Sequence, residues 1–218
     1  MVCYHFSFDL TLFGVLKARF NTDPFWLGFR YIIMSSFLLL VGVSAVLSER
    51  NGFKQQRFLK RLAQIAFCAL LATLSSYLTF PRTFIFFGIL HFNVVASLLA
   101  RLFLRFRWLN LGLGLLFIGL DLTVSHPFFD RGVWQCLGLM THKPFTEDYV
   151  PIIPWFGTVL VGMFLAQSLV AAQRLDLLKS TRGPRWLLFM GRHSLIVYML
   201  HQPILLAVMG LIYKLSHG

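Results

Sequence analysis

The 218-residue sequence has few acids, with only eight Asp and Glu, and only three cysteines. It has no internal repeat, no low-complexity run and no hydrophilic linker. Cys3, Cys68 and Cys136 are scattered, so they form neither a metal spacing nor a disulfide framework. Charged residues make up 13% of the chain, against roughly 25% in ordinary soluble domains, which excludes most soluble readings. Apolar residues account for 57%, with 24 Phe among them, and the mean hydropathy is +0.72. The loops are too short for a soluble domain, so one integral membrane domain over 1–218 is expected.

Apolar runs long enough to cross a bilayer lie at roughly 28–48, 58–80, 84–104, 108–125, 150–172 and 186–213. The expected fold is all-α: a polytopic membrane helix bundle of six full transmembrane helices plus a partial first helix. That partial helix is residues 1–16. They are too short to span alone and carry His5 and Asp9, and they read as the second half of a helix whose beginning is missing. With no basic leader and no small-residue cleavage site, the segment is a poor signal peptide.

The net charge is +12, and the positions of the bases explain it. Arg50, Lys54, Arg57, Lys60 and Arg61 follow the first full span. Arg101, Arg105 and Arg107 come two spans later, then Arg174, Lys179, Arg182 and Arg185 after two more. Short cytoplasmic loops are enriched in Lys and Arg, so these alternate loops are placed inside. The loop at about 121–149, with Asp121, Asp130, Glu147 and Asp148, is placed outside, as is the C-terminus. The excess charge is therefore topogenic, and nucleic acid is not an expected partner.

Ionisable groups at membrane depth are costly and usually face a bundle interior or a wet cavity. His5 and Asp9, four apart, share a helix face, so the carboxylate could orient the imidazole for base work or simply cap an outer loop. His91 and Asn93 lie about two turns into the third span, with Gly88 one turn before His91. They suit either a ligand contact or a satisfied interhelical bond. Asp148 precedes a span that opens with Pro151, Pro154 and Trp155. An acid at a cavity mouth, Glu147 or Asp148, could hold an amine or hydroxyl, whereas the prolines and Trp155 are ordinary at a helix start.

The last run, LLFMGRHSLIVYMLHQPILL, is the most polar. Gly191, Arg192, His193 and Ser194 fall near its cytoplasmic end, and Arg192 could snorkel or grip an anion through its planar fork. His201 and Gln202 lie deeper, beside Pro203, whose ring frees a backbone carbonyl one turn earlier. So much polarity in one helix favours a lined cavity over plain packing.

Taken in order, YHFSFDL, FFGILHF, DYVPIIPWFG and LLFMGRHSLIVYMLHQPIL resemble the bacterial branch of the heparan-alpha-glucosaminide N-acetyltransferase-like family, within a superfamily of transmembrane acyltransferases. The resemblance implies a bacterial inner-membrane enzyme that takes an acetyl group from cytoplasmic acetyl-CoA and delivers it to an acceptor on the outer face. Carried over by position, His5 would be the catalytic histidine, with Asp9 beside it, and His91, Asp148, Arg192 and His201 would be the other cavity-lining positions. Together with the reading of the residues themselves, this makes His201 a further catalytic candidate, His91, Asn93, Asp148, Trp155 and Gln202 the candidates for the acceptor, and Arg192, His193 and Ser194 those for CoA. No metal is implied. Expected partners are the lipid bilayer, acetyl-CoA and a glycan or small-molecule acceptor, with a homo-oligomer allowed.

Two other classes fit the same residues. A proton-coupled transporter would use the intramembrane histidines as a relay, although no inverted repeat is present. A catalytically inactive membrane protein would follow from the short start, since the family has an Arg-containing segment and half a helix before the Tyr-His.

Overall fold

The computed structural model describes residues 1–20, 22–146, 148–174 and 183–217. Among these the chain is helical, and the nearest approach to a sheet is one isolated parallel bridge between Phe87 and Tyr149. Helix α1 spans Val2–Leu12, α2 Pro24–Arg50, α3 Gln55–Thr79, α4 Ile89–Leu102, α5 Arg107–Thr123 and α6 Ile152–Ala171. Helix α7 covers Arg185–Arg192 and α8 Ser194–His217; short 3-10 turns at Pro127–Asp130 and Gly132–Leu137 lie between α5 and α6. The all-α class expected from the sequence is observed.

Among the described residues, four helices are long and apolar enough to cross a membrane: α2, α3, α6 and the Ser194–Ile212 part of α8. Such helices must satisfy their own backbone polar groups in lipid, which an unbroken helix does. Their outward faces are apolar; Phe67, Leu70 and Leu78 of α3 are all more than 60% exposed. The sequence predicts six full spans, and two of its runs are shorter as helices. Helix α4 has 14 residues and α5 has 17. At 1.5 Å per residue, α4 reaches only about 21 Å, against a hydrocarbon layer of roughly 30 Å. Its expected first turns, 84–88, are instead a capped entry described below.

The chain divides into two compact units, Met1–Met34 with Ser180–Gly218, and Ser35–Lys179. In the first unit, α1 packs on α8. An aromatic cluster joins α1 to the first turns of α2: Tyr4 meets Phe20 edge-on at 5.4 Å, and Phe20 lies 4.2 Å from Trp26. Phe20 is only 5% exposed, so the link between the two helices is folded inward.

In the second unit α6 is the central element. Phe156, Val159, Leu160, Met163 and Ala166 are at most 2% exposed. Small residues let neighbouring backbones approach it closely, as is usual between membrane helices. A Cβ at Gly42 of α2 would collide with the Val159 carbonyl, and one at Gly162 would collide with the Leu39 carbonyl. The α5–α6 crossing also carries a buried polar clasp. Asn110 Nδ2 donates to Gln167 Oε1 at 3.0 Å, and Gln167 Nε2 donates to the Leu104 carbonyl at 2.7 Å.

Candidate active site

In the first unit, four polar side chains converge where α1 meets α8. Helical geometry puts His5 and Asp9 one turn apart on a single face of α1. On α8, the His201 ring folds back on its own helix, and Nδ1 lies 2.6 Å from the Tyr198 carbonyl. A carbonyl can only accept, so Nδ1 carries a proton, and in the neutral tautomer the lone pair lies on Nε2. The His5 and His201 ring centroids are 5.0 Å apart. Gln202 Nε2 donates to Asp9 Oδ1 at 2.9 Å, and Asp9 has no exposed surface.

No ion pair joins Asp9 to His5 among the described residues; the partner of Asp9 is Gln202, 193 positions away. Among the described residues, three polar atoms of the cluster are buried without a protein partner: Asp9 Oδ2, His201 Nε2 and Gln202 Oε1. Buried polar groups are normally satisfied, so such a convergence calls for an explanation other than packing.

A second group lies in the other unit, around the start of α4. Asp148 Oδ2 accepts from the Ile89 amide at 2.8 Å, a carboxylate at a helix N-terminus where orphan N–H groups favour it. A Cβ at Gly88 would meet that carboxylate and the Ile85 side chain, so glycine leaves room for the close approach. The His91 Nδ1 accepts from the Gly88 amide at 3.3 Å, while Nε2 meets Thr73 Oγ1 at 3.1 Å. Thr73 in turn donates to the Ile85 carbonyl at 2.8 Å. The only consistent assignment gives His91 the Nε2 proton, and both ring nitrogens are then engaged.

The loop carrying Asp148 is tied to the same corner. Thr146 Oγ1 donates to the Phe84 carbonyl at 2.8 Å, and the Val150 amide donates to the Phe87 carbonyl at 3.2 Å. Burial pushes the Asp148 carboxyl above the ordinary aspartate range, with the Ile89 amide and Lys143 pulling against it. Asn93 points away from His91, two residues being about 200° around a helix. Trp155 is buried near the start of α6. Glu147, the neighbouring acid, lies outside the described residues, as do Lys179 and Arg182.

Arg192 is not within a span. It is the last residue of α7, and the chain leaves helical geometry at His193 before α8 starts at Ser194. The His193 ring stacks on Phe189 at 4.4 Å, with Nδ1 3.0 Å from the Phe189 carbonyl. Helix α7 is amphipathic, with Arg185 and Arg192 at its ends and Trp186, Leu187 and Phe189 exposed. Such a helix suits the water–lipid boundary, where a guanidinium avoids the cost of hydrocarbon.

The family model described as heparan-alpha-glucosaminide N-acetyltransferase, catalytic, matches residues 1–203. The chain belongs to this family. No curated protein and no solved structure matches it. Membership of the heparan-alpha-glucosaminide N-acetyltransferase family implies a membrane acetyltransferase, and the matched segment takes in α1, the α4 corner and α8 as far as Pro203. Two polar features of this family member were not singled out from sequence. Thr73 completes the His91 bonds, and Asn110 with Gln167 joins α5 to α6. The signal for the latter was available, since Asn110 and Gln167 are uncharged polar residues inside apolar runs.

Proposed function

We propose that this chain works as one transmembrane acyltransferase-like domain that moves an acetyl group from acetyl-CoA to an amine or hydroxyl, in a glycan or small molecule. The observation that carries the reading is the convergence of three unpartnered buried atoms, Asp9 Oδ2, His201 Nε2 and Gln202 Oε1, beside the His5 ring. A family match alone would not say which residues react.

In this reading His5 takes the proton of the acceptor N–H or O–H as that atom attacks the thioester carbonyl. The C–S bond breaks, the acceptor keeps the acetyl group, and the proton passes to the departing CoA thiolate. His201 Nε2 is free to share the proton, because its other nitrogen is committed to Tyr198. The Asp9 carboxylate, oriented by Gln202, stabilises the imidazolium that forms. Within the Ser35–Lys179 unit, Asp148 and Trp155, with His91 and Asn93, are assigned to the acceptor, Asp148 as the carboxylate that would hold an amine.

Arg192, His193 and Ser194 are assigned to the donor. A fork at the end of an amphipathic helix is suited to the phosphates of CoA. With the basic loops inside, that end is cytoplasmic, the acceptor is outside, and the C-terminus is outside in a bacterial inner membrane. The short α4 and α5, together with the four long helices, would make up six spans.

Incubating the purified protein in nanodiscs with radiolabelled acetyl-CoA and amino-sugar or alcohol acceptors tests this. Label should move to an acceptor; donor binding without transfer to any acceptor would remove the enzyme reading.

A further inference from the structure

At the ends of α2, α5 and α6 that carry the basic residues, the Ser35–Lys179 unit has a cavity of about 340 Å³ that opens to the surface. Its lining combines apolar Val46, Leu104, Val170 and Ala171 with Gln167, Glu49, Arg50 and Arg107. Glu49 does not cancel the positive charge. Its carboxylate faces Arg101 at 3.8 Å, and that guanidinium lies 3.5 Å from the Phe53 ring centroid.

Arg107 is set in place by its neighbours. Its Nε donates to Ser168 Oγ at 3.1 Å, and the Ser168 hydroxyl donates onward to the Phe164 carbonyl at 2.7 Å. The guanidinium carbon is 5.0 Å from the Trp108 ring centroid and 5.7 Å from that of Phe164. Among the described residues, the two terminal nitrogens have no protein partner. A guanidinium has five N–H donors, so four remain in a planar fork of the shape that grips a phosphate.

We propose that this cavity holds the headgroup phosphate of an anionic phospholipid. Arg107 grips the phosphate and Arg50 supplies a second charge. Val46, Leu104 and Val170 lie along the glycerol and the start of an acyl chain. Three helices end here, which is where headgroups meet a membrane protein, and basic pockets between membrane helices bind such headgroups. A soluble phosphate would gain nothing from the apolar lining. Trp108 is 68% exposed beside Arg107, as an aromatic residue at the lipid–water boundary is. The inference rests on the chain being a membrane protein and not on acetyl transfer.

The test is lipid retention by the full chain, measured by native mass spectrometry after purification in neutral detergent with equal phosphatidylglycerol and phosphatidylcholine. Selective retention of phosphatidylglycerol is expected, lowered about 10- to 100-fold in Arg107→Gln and partly restored in Arg107→Lys. Ser168→Ala, which releases the fork without removing its charge, should lower retention by a few-fold. Should Arg107→Gln fail to fold, Arg50→Gln decides, because Arg50 is exposed and is expected to lower retention by a few-fold. Equal retention of the two lipids overturns the proposal, as does unchanged retention in the folded arginine variants. Displacement of the lipid by excess inorganic phosphate or acetyl-CoA would assign the cavity to a soluble phosphate and overturn it equally.

Discussion

The Gln202 amide donates to Asp9 at 2.9 Å, joining the last helix to the first across 193 positions of sequence. Asp9 is fully buried, and among the described residues this is its one side-chain hydrogen bond from a neighbouring helix, so the pair fastens α1 to α8. Removing the amide leaves a buried carboxylate without a donor, which typically costs about 1–3 kcal/mol. Gln202→Leu should therefore lower the unfolding temperature in detergent, and Asp9→Asn combined with it should recover much of the loss. If Gln202→Leu alone unfolds at the wild-type temperature, the bond has no structural role.

Asp148 separates a capping role from a chemical one. Asp148→Ala removes the acceptor at the Ile89 amide and should cost about 1 kcal/mol, the usual loss for a helix cap. Asp148→Asn keeps an oxygen there and should hold stability. Because burial raises the folded pKa of Asp148, the protonated form is favoured in the fold. Its contribution is full below the unfolded value and declines as pH rises through the folded value. Thermal unfolding followed from acid to neutral pH should show that decline in the wild type and a flatter profile in Asp148→Asn. An Asp148→Asn protein that is stable yet inactive would point to the acceptor role.

The α2–α6 crossing depends on absent side chains. Gly42→Val or Gly162→Val places a Cβ against opposing backbone, which cannot move aside as a flexible side chain would. Overpacking of this kind typically costs about 1–3 kcal/mol. Gly28→Val in the same helix α2 has open space around it and should be close to neutral. Similar melting curves for all three would contradict the close crossing.

Donor binding is assigned to the turn after α7. Arg192→Ala should weaken acetyl-CoA binding by about 10- to 100-fold, as loss of a charge-assisted phosphate contact does. Arg192→Lys should regain only part, since a point charge does not replace a planar fork. Unchanged affinity in isothermal titration would leave Arg192 as an interfacial anchor.

Local spacing carried much of this architecture. The shared face of His5 and Asp9 follows from four-residue spacing in a helix, and the polarity of His201 and Gln202 shows within an apolar run. The Asp9–Gln202 bond and the Asp148 cap on Ile89 were not legible, because each joins residues distant in sequence. The same cap explains why α4 starts late, since Gly88 and His91 are spent on the entry turn. Hydropathy also passes smoothly over Arg192 to Ser194, where the backbone breaks. Only amphipathicity in 185–192 marked that helix as separate.

The central claim is that His5, supported by His201 and Asp9, is the base for acetyl transfer. The most direct test is single-turnover acetyl transfer by His5→Ala and His201→Ala in nanodiscs, with acetyl-CoA binding and thermal unfolding measured on the same samples. His5→Ala should lose about 10²–10⁴-fold in rate, the usual contribution of a general base, while donor affinity stays within about threefold. His201→Ala should lose less, because it shares the proton and does not meet the acceptor. A folded His5→Ala protein that keeps more than about a tenth of the wild-type rate would contradict the claim.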